Sequence, residues 1–388
     1  MSIIIDYDSK FLESTENLKR VLKKSLDREP STKVATDAAV CLQHGRLYFE
    51  AAEKAPMEIK PLLIFYGMMN YSKSLVISRN LSGIETLPQK HGLNDISEAH
   101  SPLKELKVKI LAEGTFQKIN DTICNLDCVE ILKYWMHEHV TIPTSCSNLM
   151  ANKVLTLKDI LARIPRLAPL FSATFSEEAK TIGCRIDYKD EASGCVELRI
   201  DDRDVFNDPQ SRTSIINKWK SRYPFLDNWH LFIAERAWDH SILVFTNIDK
   251  SCIAILSEKI IERDNGNYEV GGFNNDLKHG KYKFLEFYDI IQPMSGGLTN
   301  NTSLIEPFEN IHISELSLYY LGMFLLSSLV RYRPHVWRHS ISRLATSELP
   351  SDDAALALIE RFLEDTLTVF PSAIVKAMSM IPQRPPSL

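Results

Sequence analysis

The apolar run "LSLYYLGMFLLSSLV", from Leu316 to Val330, constrains the fold more than any other stretch of the chain. It is about fifteen residues long and contains serines, whereas a membrane-spanning helix needs about 20 predominantly apolar residues. A helix that is apolar on every side belongs in the interior of a protein. We therefore expect a buried core helix, capped by Ser314 and broken by Pro334, in a soluble protein without a membrane partner.

Two further helices are predicted near the N-terminus. Apolar residues recur at steps of three and four between 33 and 55, and Pro56 ends this pattern. The next segment, 61–78, starts with a proline, which suits the first turn of a helix, and is apolar almost all round. It is predicted to be central to a bundle, in which the N-terminal and C-terminal helical regions pack together.

The hydrophobic pattern changes near residue 180. The stretch "CRIDYKDEASGCVELRID" alternates apolar and charged residues on both sides of a polar turn, which predicts a β-hairpin. "HLFIAERAW" and "SILVFTNID" are typical of further strands, and "RDNGNYEVGGF" of a tight turn. We therefore expect an α+β fold that is predominantly α-helical, with a β-rich segment inserted between two helical regions.

These patterns give the expected domain organisation. It comprises an N-terminal extension (1–32), a helical region (33–179), the β-rich segment (180–303), a C-terminal helical region (304–381) and a disordered tail (382–388).

The net charge, the cysteine spacing and the absence of known motifs limit which partners and cofactors we expect. The formal charge of −5 gives no global attraction to nucleic acid, so RNA would have to be bound by a local basic patch. The seven cysteines are scattered without a CxxC pair, which indicates reduced thiols in a cytoplasmic protein. Cys124, Cys128 and Cys146 lack the second close pair that a zinc site needs. "DLKHGKY" departs from a Walker A loop, so we expect no metal and no nucleotide or other cofactor.

The stretch "RYRPHVWRH" concentrates positive charge and histidines directly after the apolar run. One hypothesis is a catalytic centre for phosphodiester chemistry, and the other is a capped helix end with a basic corner that is structural or binds a partner. Arginines beside an aromatic ring can also clamp a nucleic acid without any chemistry. His335 and His339 are spaced like a zinc pair but lack the glutamate of HExxH. The candidate phosphate-binding or partner-binding residues are Arg331, Arg338, Arg343 and Trp337.

Asn70 and Lys73 are the polar exceptions within the apolar segment 61–78 and share one helical face. Because burying them requires partners, two interpretations stay open. In the first, Lys73 extends to solvent and Asn70 hydrogen-bonds a neighbouring helix. In the second, both face the same cleft as the basic cluster and form accessory polar groups together with His335. His91, which follows a predicted turn, is either solvated or directed into that cleft.

Two blocks of sequence resemble the YaaC-like family of bacterial proteins. They are "RLYFEAAEKAPMEIKPLLIFYGMMNYSKSLVI", with "KHGL" after it, and "LSLYYLGMFLLSSLVRYRPHVW". The first block is also similar, more distantly, to the helical hairpin of the HEPN superfamily, whose active members are metal-independent ribonucleases. That resemblance implies a HEPN-like bundle with its hairpin at 33–79.

The HEPN resemblance also implies roles for individual residues. Arg333 and His339, with five residues between them, match the arginine and histidine of its motif, and Asn70 and Lys73 match its accessory polar positions. In such chemistry a histidine moves protons and an arginine stabilises charge on the phosphorus. The implied function is a stress or anti-phage defence component, dimeric through its helical core, that binds or cleaves RNA without metal. The alternative is a non-enzymatic interaction subunit of a complex that uses the basic corner 331–343.

Overall fold

A computed structural model provides the structure of the protein. The described residues are 8–124, 126, 128–133, 136–141, 147–190, 195–200, 212–224, 226, 229–233, 243–246, 260–262, 268–270, 299, 303–342 and 353–380.

The helices of this part of the chain fall into an N-terminal group, a middle group and a C-terminal group. The N-terminal group is α1 (Ser9–Leu12), α2 (Thr15–Leu26), α3 (Thr32–Lys54) and α4 (Lys60–Asn80). The middle group is α5 (Thr115–Cys124), α6 (Ser147–Met150), α7 (Leu157–Leu161), α8 (Ala168–Phe175) and α9 (Arg212–Arg222). The C-terminal group is α10 (Glu315–Tyr332), α11 (Pro334–Ile341) and α12 (Asp353–Ser379).

Helix α4 is the centre of the bundle and packs against α3, α5, α10 and α12. Helices α3 and α4 approach each other closely at two glycines. A Cβ atom added to Gly45 would lie 2.8 Å from the ring of Tyr71, and one added to Gly67 would overlap the ring of Phe49. The N-terminal and C-terminal helical regions therefore form one bundle, as the sequence predicts, and its HEPN-like character stays a prediction.

Helix α10 has the buried position that its sequence predicts. Every residue of the range 315–330 is buried, and the Ser314 side chain accepts a hydrogen bond from the Ser317 N–H at the start of the helix. Pro334 follows the end of α10 and stands at the first position of α11. Among the described residues, no helix is long and apolar enough to cross a membrane.

The strands among the described residues form three sheets. An antiparallel sheet joins β1 (Leu93–Asp95), β2 (Lys107–Ile110) and β5 (Val154–Thr156). The larger, mixed sheet has the order β4-β3-β6-β7-β9-β8, with β12 paired to β6. Its strands are β3 (Cys128–Lys133), β4 (Met136–Thr141), β6 (Thr181–Asp190), β7 (Cys195–Ile200), β8 (His230–Ile233), β9 (Leu243–Thr246) and β12 (Ser303–Ile305). A third pair consists of β10 (Ile260–Glu262) and β11 (Tyr268–Val270).

The predicted β-hairpin is formed by β6 and β7, which pair antiparallel from Cys184↔Ile200 to Asp190↔Cys195.

Two expectations about the domain organisation need correction. The region 33–179 is not entirely helical, because it contains β1 to β5, whose lengths of 3 to 6 residues are too short for a clear period-two signal. The segment 1–32 is no mere extension, since Leu12, Leu18 and Leu22 are buried in the core. The predicted tail 382–388 lies outside the described residues, and the other domain boundaries stay predictions.

Candidate functional site

The junction between α10 and α11 places three consecutive side chains at the rim of a cleft. Helix α10 ends at Tyr332, and the Arg333 N–H donates to the Leu329 carbonyl over 2.9 Å. The φ and ψ of Arg333, −137° and 52°, turn the chain out of the helix. Because Pro334 supports only the start of a new helix, the direction changes here. Arg331, Tyr332 and Arg333 all line the cleft at this turn.

Arg333 is fixed by an ion pair with Asp95 of β1. Its Nη2 donates to Asp95 Oδ2 over 2.6 Å, and its Nη1 donates to the Glu98 carbonyl over 2.9 Å. Only 11% of the Arg333 side chain and 14% of the Asp95 side chain are exposed. Asp95 also accepts hydrogen bonds from the Ser328 hydroxyl at 2.7 Å and from the Ser97 hydroxyl at 2.6 Å. The charge of Arg333 is therefore neutralised, and the pair connects α10 to β1.

Arg331 lies in a different environment, although it is only two residues away. Its Nε donates to the Ser327 carbonyl over a long 3.4 Å, and no carboxylate of the described part of the chain pairs with it. Its guanidinium carbon lies 5.0 Å from the ring centre of Tyr332 and 6.0 Å from that of Phe65. The Tyr332 side chain is 71% exposed. Arg331 thus keeps its charge and its Nη donors available beside an open aromatic ring.

His91 forms the inner part of the cleft. Its ring centre lies 5.6 Å from that of Phe65 and 6.1 Å from that of Phe324. Burial lowers the pKa of His91, and the positive charges of Arg331 and Lys73 lower it further, so the imidazole is neutral at pH 7. Its Nδ1 is buried and has no hydrogen-bond partner among the described residues. The cleft therefore contains a neutral histidine close to cations.

The cleft has a volume of about 420 Å³, which is within the range of small-molecule sites. Its described lining residues are His91, Leu93, Asn94, Asp95, Ser97, Phe324, Ser328, Arg331, Tyr332 and Arg333. The ion pair of Asp95 with Arg333 cancels one positive charge, so Arg331 gives the lining a net positive charge.

The structure separates the two residues of the predicted catalytic pair. Arg333 lines the cleft, but His339 is not among the described residues that do so. His339 lies in the last turn of α11 and is half-buried. On the same helix, His335 is exposed, with its ring centre 6.1 Å from that of His100, and Arg338 is exposed as well. Arg343 lies outside the described residues.

Trp337 requires a correction. Its side chain is only 1% exposed, and its Nε1 donates to the Met57 carbonyl over 3.1 Å. An indole held in this way has no free face on which a base or a partner could stack. Its role is to attach α11 to the α3–α4 connection. Tyr332, which the sequence does not single out, supplies the exposed ring instead.

The two polar residues of α4 have different roles. Asn70 Nδ2 donates to the Tyr66 carbonyl one turn earlier over 2.8 Å, within its own helix rather than to a neighbouring one. Lys73 is half-buried and is not among the described residues that line the cleft, although its charge contributes to lowering the pKa of His91. His91 does line the cleft, which is the second of the two possibilities considered for it.

The family model described as YaaC-like Protein matches residues 10–378 of the chain. The chain belongs to the YaaC-like family. Comparisons with curated proteins and with solved structures give no match. The match covers both α4 and the junction of α10 with α11, so the cleft lies within the part that defines a YaaC-like protein.

The description YaaC-like names no reaction, ligand or partner, so function has to be argued from the cleft itself. Within the described part of the chain, no three His, Cys, Asp or Glu side chains are grouped so that they could hold a metal ion. What the site offers a ligand is an available arginine, an exposed tyrosine ring and a neutral histidine, whereas the hydroxyls of Ser97 and Ser328 already donate to Asp95.

Proposed function

We propose that this YaaC-like protein binds RNA at the cleft between α10 and β1. The observation that carries the proposal is the pairing of Arg331, which no described carboxylate neutralises, with the exposed ring of Tyr332 at the cleft rim. Arginine binds phosphate through its planar fork of donors, and an aromatic ring stacks on a nucleobase. Single-stranded RNA offers both groups side by side.

The inner part of the cleft fits the same ligand. Neutral His91 has one ring nitrogen that donates and one that accepts, so it can hydrogen-bond a base edge or a 2′-hydroxyl. The Ser97 and Ser328 hydroxyls line the same wall. Because the whole chain carries a formal charge of −5, any attraction to RNA has to come from a local patch of positive charge. The net positive lining of the cleft is such a patch.

The geometry favours binding over cleavage. Arg333 already gives one N–H of Nη1 to the Glu98 carbonyl and one N–H of Nη2 to Asp95, and its charge is paired with that carboxylate, which leaves less of its charge for a phosphorane. His339 does not belong to the described lining of the cleft, where a scissile phosphate would lie. RNA cleavage by Arg333 and His339 stays a prediction, as do a role in defence and a homodimer. The binding function that we propose depends on none of the three.

The test is binding of a fluorescently labelled single-stranded RNA, measured by anisotropy at several salt concentrations. Arg331→Ala is expected to lower the affinity at least about tenfold, the effect of losing a charge-assisted phosphate contact, and to reduce the salt dependence. Tyr332→Ala is expected to lower it at least about fivefold through lost stacking. Arg20→Ala removes the same charge from an exposed position on α2 and serves as the matched control, with little expected change.

The same samples separate the competing functions. RNA recovered intact in the presence of EDTA supports binding alone, whereas fragments ending in a 2′,3′-cyclic phosphate that disappear in His339→Ala would establish cleavage. If the wild-type protein binds no RNA, the proposal is wrong, and the interaction-subunit hypothesis becomes the better one. Charge reversal at exposed Arg338 should then disrupt complex assembly.

A further inference from the structure

A second arginine without a carboxylate partner lies at the other end of α4. Arg79 is in the last turn of the helix and is largely buried. Its Nη1 donates to the Met380 carbonyl over 2.8 Å, and no described carboxylate pairs with it. Burial lowers the pKa of Arg79 to about 10, so the group stays charged at pH 7 in an environment that penalises charge.

The free side of Arg79 opens into a cavity of about 400 Å³. The described lining residues are Leu26, Arg79, Asn80, Lys118, Asp121, Thr122 and Leu126. Asp121 forms no described ion pair with Arg79, and its Oδ1 accepts hydrogen bonds from the Ser147 N–H at 2.9 Å and from the Ser147 hydroxyl. Two cations and one carboxylate therefore leave the lining with a net positive charge.

A purely structural role accounts for this arginine poorly. The bond to the Met380 carbonyl connects α4 to the residue after α12, but any neutral donor would make that connection without burying a charge. A buried charge is costly unless it is paired, so natural proteins rarely keep one without a reason. The guanidinium has Nε and Nη2 left over, and its planar fork matches an oxyanion in a bidentate manner.

We propose that the cavity at Arg79 is a binding site for a small oxyanion, a ligand with a carboxylate or phosphate group. Arg79 would bind the anionic group at the inner end, and Lys118, which is exposed, would attract it at the entrance. Phe65, which contacts Arg331, and Arg79 are separated by 14 residues of α4, which corresponds to about 21 Å of helix. The cavity is therefore distinct from the RNA cleft, and the proposal does not rest on RNA binding.

The test measures the melting temperature and the titration heat of the full chain with inorganic phosphate or with acetate, against sodium chloride at equal ionic strength. We expect at least one of the two anions to stabilise the wild-type protein saturably beyond the chloride control. The anion that does so identifies the class. Arg79→Met should lower its affinity at least about tenfold, which corresponds to the loss of a charge-assisted hydrogen bond.

Two further variants make the outcome decisive. Lys118→Glu changes an exposed residue and reverses the net charge of the lining. It should therefore also lower the affinity for the anion at least about fivefold. It decides the question alone if Arg79→Met does not fold. Arg331→Ala, at the RNA cleft, should leave the Arg79-dependent binding unchanged. The proposal is overturned if neither anion stabilises the wild-type protein beyond chloride. It is also overturned if Arg79→Met or Lys118→Glu leaves the anion affinity unchanged. Neither result bears on the proposal of RNA binding.

Discussion

The cleft at the end of α10 and the cavity at the end of α4 have similar volumes, about 420 and 400 Å³, but they balance their arginine charges differently. In the cleft, Arg333 has a fixed carboxylate, Asp95, which is itself held by two serine hydroxyls. In the cavity, the partner of Arg79 among the described residues is a backbone carbonyl. An arginine that is paired with a buried carboxylate contributes to the architecture, whereas one without such a pair keeps its charge and its remaining donors for a ligand.

The same contrast exists within the cleft itself. Arg331 and Arg333 stand on either side of Tyr332, yet only Arg333 has a carboxylate partner among the described residues. A cluster of basic residues in the sequence therefore indicates a candidate binding region. It does not identify which arginine is available to contact a ligand. If the partners of each arginine, rather than its position in the sequence, determine its role, removing a carboxylate partner should change stability more than removing an arginine that has none.

The largest effect is expected from Asp95→Ala. It leaves Arg333 buried with only the Glu98 carbonyl, and an uncompensated buried charge costs about 3 kcal/mol of unfolding free energy. Urea unfolding measures the loss. The control is Glu113→Ala, which removes an ion pair with Lys90 whose two side chains are 75% and 81% exposed, and should cost less than about 1 kcal/mol. Equal losses in the two variants would show that the Asp95 pair is not structural.

A smaller effect is expected from replacing the two buried arginines with methionine. Arg333→Met should cost about 2 kcal/mol, less than Asp95→Ala, because Asp95 keeps its bonds from Ser97 and Ser328. Arg79→Met should change the unfolding free energy by less than about 1 kcal/mol in either direction in anion-free buffer, because it leaves no buried carboxylate behind. Urea unfolding of both variants compares them directly. A loss at Arg79 as large as that at Arg333 would contradict the distinction between paired and unpaired arginines.

Helices α3, α4 and α10 were predictable because each has a strong local signal. Ser314 and Pro334 define α10, and an almost uninterrupted apolar run places it in the core. Strands β1, β2 and β5 were not predictable, because their pairing depends on residues far along the chain. The three-residue strand β1 pairs with β2, and β2 with β5, so nothing within β1 itself distinguishes a strand from a loop.

The candidate site was only partly predictable for the same reason. The basic cluster and His91 are visible in the sequence, but Asp95 lies 238 positions from the arginine that it neutralises, and no local pattern connects them. Trp337 has the composition of a stacking residue, and only the packing of α11 against the α3–α4 connection shows that it is buried. Residue types can be read from a sequence, whereas which partners complete each polar group depends on the tertiary fold.

The smallest effect is expected in the pH dependence of stability, which tests whether His91 is a neutral group among cations. Its pKa is lowered in the folded state, so the unfolded state binds a proton more readily, and stability should fall as the pH is lowered from 7.5 to 6. Burial also lowers the pKa of His312, which acts in the same direction. His91→Phe should therefore flatten, without abolishing, the slope of unfolding free energy against pH, and His91→Phe combined with His312→Phe should flatten it further. A slope in His91→Phe equal to that of the wild type would mean that the imidazole is protonated equally easily in both states, and the cleft would then contain no histidine held neutral by burial and by the charges of Arg331 and Lys73.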